Sequence, residues 1–239
     1  MAVAPESIEI RDVWRANLEE EFRLIRSIVD DYKYVSMDTE FPGIVIPSDG
    51  RPFDYKSMKD NVEQTKLIQL GLCFSDAAGN LPTCGDKHLV WQFNFCEFDR
   101  EKDSFNKDSI ALLERHGIDF DKNVKDGVAV SEFGGLLMSS GAVLPLTTHL
   151  CWITFHGVSD FGYLLRLLRG SNNLPETKAE FLALLKVFFP VFYDIKVMAQ
   201  KCQIYGGLDH VARKLKESRL ACRLLITEHL GLNVRTNWL

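Results

Sequence analysis

Tyr34-Val35-Ser36-Met37-Asp38-Thr39-Glu40-Phe41 is the stretch on which the fold turns. Apolar and β-branched residues alternate with small or acidic ones, the period-two pattern of a strand. Side chains two apart point to the same face, so Asp38 and Glu40 project together. Two acids on a half-exposed strand are more often a solvated edge than a site. Here Val35 and Phe41 imply a buried strand, and buried carboxylates need a partner. Two carboxylates on one face repel unless positive charge lies between them. Mg²⁺ or Mn²⁺, hard cations that prefer carboxylate oxygen, would supply it.

Working outward, residues 8–31 carry Glu19, Glu20 and Glu21 among Phe22, Leu24, Ile25 and Ile28 at helical spacing, which predicts a helix. Pro42-Gly43 ends the central strand. Residues 47–60 are rich in Pro, Gly, Asp and Ser and read as a loop. Residues 67–74 and 89–95 are further strands, with a turn over 76–80, and three strands joined in sequence predict an antiparallel meander. Helices are expected over 104–115, 127–139, 160–169, 178–188 and 208–216, Pro190 stopping the fourth. Residues 117–120 read as a brief extended piece, and 150–155 and 192–195 as strands. The predicted fold class is α/β, a mixed sheet flanked by helices. No internal repeat or long linker divides the chain, so residues 1–239 are expected to form one domain.

The formal net charge of −5 argues against a protein that grips nucleic acid by a broad basic surface. It leaves a metal-dependent nuclease open, because bound cations reverse the local sign. The six Cys form no C-x-x-C pair and read as scattered reduced thiols. Met1-Ala2-Val3-Ala4-Pro5 runs straight into charged residues, so no secretory signal is expected. Residues 134–154 lack Asp, Glu, Lys and Arg, but Ser139-Ser140-Gly141, Pro145 and Thr147-Thr148-His149 interrupt them. That stretch reads as a helix end, a turn and a buried strand, and no membrane association is expected.

Asp160 is the distant partner of Asp38 and Glu40. It follows the strand ending at Phe155 and opens a helix, where an acid either caps the helix or holds a ligand. Two metals about 4 Å apart, one activating water and one stabilising the leaving oxygen, hydrolyse phosphodiesters.

Ser36-Met37-Asp38-Thr39-Glu40-Phe41-Pro42-Gly43 resembles the first motif of the Caf/Pop deadenylases, exonuclease subunits of the CCR-NOT complex within the DEDD superfamily. The resemblance extends through Lys66-Leu67-Ile68-Gln69-Leu70-Gly71-Leu72, Trp91-Gln92-Phe93-Asn94-Phe95, Asp108-Ser109-Ile110 and Leu136-Leu137-Met138-Ser139-Ser140-Gly141. It continues in Phe155-His156-Gly157-Val158-Ser159-Asp160-Phe161-Gly162-Tyr163-Leu164 and in Phe188-Phe189-Pro190-Val191-Phe192-Tyr193-Asp194-Ile195-Lys196. It implies a ribonuclease-H-like fold and 3′-to-5′ hydrolysis of poly(A) RNA to AMP with two Mg²⁺ or Mn²⁺ ions. It also implies Asp38, Glu40 and Asp160 as metal ligands and catalytic acids, with Asp194 structural. The implied partners are the Not scaffold subunit and the Ccr-type nuclease, and the implied location is the nucleus and cytoplasm, including P-bodies.

The resemblance runs to about residue 217. The family's last motif, H-x-x-x-x-D, carries the general-base His and the fourth acid. Residues 218–239 contain no such string, so the C-terminal part reads as divergent and truncated, and the second ion as in doubt. Asp209 is read mainly as a capping or solvated acid and Glu228 as a weak substitute ligand. An altered reading frame, a splice product or a gene-model error would each account for that tail. A catalytically impaired scaffold subunit and a proofreading-type DNA exonuclease are the alternative functions. Phe41, His156 and Tyr163 are candidate substrate contacts, each set against a packing role. Lys56, Lys59 and Lys66 are candidate phosphate contacts, set against solvated charge.

Overall fold

The computed structural model describes residues 8–47, 54–144 and 150–215. Among them the order is β1 (Ile8–Val13), α1 (Leu18–Ile28), β2 (Tyr34–Glu40), α2 (Tyr55–Gln64), β3 (Gln69–Ser75), β4 (Thr83–Cys84) and β5 (Lys87–Asn94). There follow α3 (Lys107–Arg115), α4 (Phe120–Asp126), α5 (Val130–Ser139), β6 (Cys151–Thr154), α6 (Val158–Arg169), α7 (Lys178–Phe188), β7 (Val191–Asp194), α8 (Ile195–Lys201) and α9 (Leu208–Lys214). The described strands form one mixed sheet in the order β1-β5-β3-β2-β6-β7, with β4 on β5. β2, β3 and β5 make the expected antiparallel meander. β6 runs parallel to both β2 and β7.

The alternation in β2 works as its sequence implies. Val35, Met37 and Thr39 are buried, while Ser36, Asp38 and Glu40 are half-buried. The buried set faces Phe74, Leu72 and Leu70 across the β3 register. Val35 and Met37, with Leu70, Leu72 and Phe74 and with Trp91 and Phe93 of β5, join one large core with α1, α5, α6 and α7.

Several sequence expectations need correction. Residues 8–13 are a strand, paired parallel with β5, so the helix begins only at Leu18. Residues 55–64 are helical although the surrounding segment reads as a loop; Asp54 caps that helix by accepting from the Ser57 N–H. Residues 117–119 lead directly into α4, which Asp119 caps. The stretch after β7 is α8, capped by Asp194. Residues 145–149 lie outside the described residues. No described helix is long and apolar enough to cross a membrane.

One buried charge ties the β1 edge to the core. Glu21, 2% exposed, accepts from Trp91 Nε1 at 3.0 Å, Arg11 Nε at 3.2 Å and Arg11 Nη2 at 2.6 Å. Glu21→Ala would orphan the indole N–H and one face of the guanidinium. Arg11 keeps partial solvent access, which softens the loss. We expect the substitution to cost about 2–3 kcal/mol, read from urea unfolding. A change within about 0.5 kcal/mol would show that the triad contributes no net stability.

Candidate metal and catalytic centre

Asp38 and Glu40 share one face of β2, as their spacing predicts. Asp160 reaches the same strand by a different route. β2 pairs with β6 only from Tyr34 to Ser36, so its edge is open beyond that point. The Thr39 N–H lies on the open edge, and Asp160 Oδ1 accepts from it at 3.1 Å. The same oxygen accepts from the Thr39 hydroxyl. Asp160 stands in the first turn of α6, inside the helix rather than at its cap, and is 6% exposed.

The electrostatics follow from this crowding. Burial, then the charge of Asp160, then that of Glu40, holds the Asp38 carboxyl well above the usual carboxylate range. Burial and the Asp160 charge push Glu40 up to about 8. Asp160 rises to about 6, mainly by burial, against the two hydrogen bonds from Thr39. Three acids that disfavour one another's ionisation form a site that lacks positive charge.

The donor chemistry fits a hard divalent cation, since all three groups offer carboxylate oxygen. As the side chains stand they do not close a cage: among the described residues no three His, Cys, Asp or Glu are grouped to hold an ion. Both bonds from Thr39 land on a single Asp160 oxygen, Oδ1.

The loop into α6 is held by Asp194, which the sequence marks only as structural. Its Oδ1 accepts from the N–H groups of His156 at 3.0 Å, Lys196 at 2.9 Å and Val197 at 3.2 Å. Its Oδ2 accepts from the Gly157 N–H at 2.9 Å. His156 is a non-glycine residue at φ +68°, a conformation that needs such support. At Gly157 any Cβ would overlap the Thr154 side chain. One carboxylate therefore fixes the end of β6, the start of α8 and the turn that delivers Asp160. A strand ending in Asp before a helix was the available signal for this capping role.

The softer candidates separate. Tyr163 is only 4% exposed, its hydroxyl is hydrogen-bonded to Thr65 at 2.5 Å, and its ring packs on Phe41 with centroids 5.1 Å apart. It packs as a core residue, the role set against its candidacy as a substrate contact. Phe41 is half-buried and packs against the same core. His156 is half-buried near the acids' end of the sheet, with Nδ1 3.4 Å from Lys196 Nζ. Burial, then the Lys196 charge, lowers its pKa. Lys56 and Lys59 are engaged in ion pairs with Asp60 and with Glu63 and Glu176. Asp209 lies exposed in the first turn of α9. Glu228 and the expected position of the last motif lie outside the described residues.

A mixed sheet whose central strand carries paired acids, met by a third acid from the helix after the neighbouring parallel strand, defines a nuclease of the ribonuclease-H-like class. The sequence of residues 13–131 matches the model of the CAF1 family ribonuclease. A probable CCR4-associated factor 1 homolog 7 of Arabidopsis thaliana is 50% identical over 223 residues, covering 90% of this chain and 80% of that protein. The poly(A) ribonuclease pop2 of Schizosaccharomyces pombe is 40% identical over 241 aligned residues, covering 96% and 70%. Its structure in the Mg²⁺- and Mn²⁺-bound form superposes with a TM-score of 0.79 at 38% identity, covering 90% of this chain and 88% of that one. Yeast CAF1, co-crystallised with the NOT1 MIF4G domain, gives a TM-score of 0.77 at 33% identity, covering 94% and 89%. The chain belongs to the CAF1 family of ribonucleases.

Proposed function

We propose that this chain is a metal-dependent 3′-to-5′ exoribonuclease that shortens poly(A) tails and releases AMP. The observation that carries the reading is the meeting of Asp38, Glu40 and Asp160 at one end of a CAF1-type sheet. A poly(A) ribonuclease relative and its Mg²⁺- and Mn²⁺-bound structure support the substrate and the cofactor. Asp38, Glu40 and Asp160 are the residues that would hold the cation. When bound, such ions activate water and stabilise the leaving oxygen. Thr39 keeps Asp160 aimed across the open edge of β2, and Asp194 keeps the α6 turn in place.

The direct test is a gel assay on a 5′-labelled RNA ending in an oligo(A) tail, with Mg²⁺ or Mn²⁺. Stepwise shortening that chelation abolishes is the expected result; an intact tail at high enzyme concentration would sink the reading. A second expectation concerns Asp194. Removing groups that orient metal ligands typically costs 10–100-fold. Asp194→Ala should therefore lower kcat by about that factor, with Asp194→Asn losing less because it still accepts at one oxygen. An unchanged kcat in a folded Ala variant would remove the positioning role.

We further propose that the chain joins a Not scaffold and a Ccr-type nuclease, supported by the yeast CAF1–NOT1 co-crystal and by the name of the plant relative. Retention on an immobilised MIF4G domain tests the first contact.

A further inference from the structure

The sheet face away from the main core carries a polar track leading from the acids. Residues directly opposite in neighbouring strands share a face. The register Asp38↔Gly71↔Gln92↔Asp12 thus lays one row across β2, β3, β5 and β1. Glu40↔Gln69↔Asn94 lies beside it. Asp38, Gly71 and Gln92 are half-buried and Asp12 is exposed, so the first row is open to solvent along its length. At about 4.8 Å per strand the row spans roughly 14 Å.

Gly71 makes the floor of this track. Glycine inside a strand weakens it and commonly marks close approach by another chain or ligand. The conformation does not call for glycine here, and a Cβ would find only the Asp38 carbonyl oxygen within 4 Å, at 3.9 Å. The space above the strand is therefore open rather than filled by packing.

The track ends in a cavity of about 290 Å³ bounded by Asp12, Trp14, Gln92, Asn94, His116 and Lys122, among others. Its amides are already ordered. Gln92 Nε2 donates to Asp12 Oδ1 at 2.8 Å, and Gln69 Nε2 donates to Asn94 Oδ1 at 2.7 Å. Asn94 Nδ2 donates to the Val13 carbonyl at 3.3 Å. Among the described residues those bonds leave over the acceptors Gln92 Oε1 and Asp12 Oδ2. Trp14 supplies an aromatic wall, with Lys122 Nζ 3.9 Å from its ring centroid. Acceptors, an aromatic ring and one cation together suit the amino and hydroxyl donors, the base and the phosphate of a nucleotide.

We propose that the Gly71 track and this cavity form a subsite for the RNA strand upstream of the cleaved bond. The cavity takes one nucleoside against Gln92 and Asp12, and Lys122 meets the adjoining phosphate. The inference rests on the exoribonuclease reading above, and its test separates the two. Asp38→Asn, in the full chain, prevents turnover while oligo(A) of increasing length is titrated and followed by fluorescence anisotropy. Affinity should step up by on the order of tenfold once the RNA is long enough to cross the track. Adding Gln92→Leu or Lys122→Glu should each remove most of that step; Lys122 is exposed, so its substitution does not endanger folding. A photoreactive base placed upstream of the 3′ end should crosslink to the Trp14 segment. A smooth length dependence, or a step that survives both substitutions, overturns the subsite. Failure to bind RNA of any length, together with an intact tail in the gel assay, overturns the exoribonuclease reading instead.

Discussion

Asp38→Ala is expected to lower kcat on oligo(A) RNA by roughly a thousandfold or more while leaving the chain folded. Metal ions contribute several kcal/mol of charge stabilisation to such transition states. Losing about 4 kcal/mol corresponds to a thousandfold in rate. Asp38 sits between Glu40 on its own strand and Asp160 from α6, and it feels the charge of both. Its removal takes one of three carboxylates from the group and leaves Glu40 and Asp160, which still feel each other's charge. Folding should not suffer, because without a cation Asp38 is a half-buried carboxylate among like charges. The metal-free variant should melt at or above the temperature of the native chain. Stopped turnover with a sharp, unshifted or raised melting transition is the expected pair of results. A variant that keeps a tenth or more of the native rate would remove Asp38 from the centre.

The sequence made the central strand and its two acids legible because a period of two is a strong, local signal. What it could not show was where Asp160 goes. The open edge of β2 beyond Ser36, which gives Asp160 its donor at Thr39, depends on where a strand more than a hundred residues later stops pairing. The missed elements share a cause. α2, α4 and α8 are short, bury few residues, and start at an Asp whose side chain caps the helix: Asp54, Asp119 and Asp194. Capping was readable in each, but the apolar stripe that normally announces a helix was too narrow to stand out. β1 was absorbed into the helix that follows, although Ile8 and Ile10 alternate with charged residues. Tyr163 could be read either way from the sequence. An aromatic one turn after Asp160 is placed correctly for the site, yet its ring faces Phe41 and its hydroxyl faces Thr65. Asp194 is the converse case: a residue read as structural proved to fix three segments around the centre.

The acids also set how stability should depend on pH and metal. Glu40 rises from 4.5 to about 8 on folding and Asp160 from 3.8 to about 6, with Asp38 raised as well. Between those limits the folded, metal-free chain binds more protons than the unfolded chain. Stability rises with pH only where the unfolded state binds more protons, so here the sign is negative. Glu40 and Asp160 therefore cost stability as pH climbs from about 3.8 to about 8, with Asp38 adding in the same direction, and that cost disappears as pH falls back through the same window. A divalent cation replaces the protons, so its binding should strengthen as pH rises and should release protons to the buffer. Melting curves with a chelator or with millimolar Mg²⁺ or Mn²⁺ should show a larger metal-induced rise in Tm at pH 8 than at pH 5.5. Calorimetry in two buffers of different ionisation enthalpy should register the released protons. Asp38→Ala should abolish most of the metal-induced rise at pH 8. A rise equal at both pH values, or undiminished in Asp38→Ala, would mean that the ion binds elsewhere and that the raised acids are not its ligands.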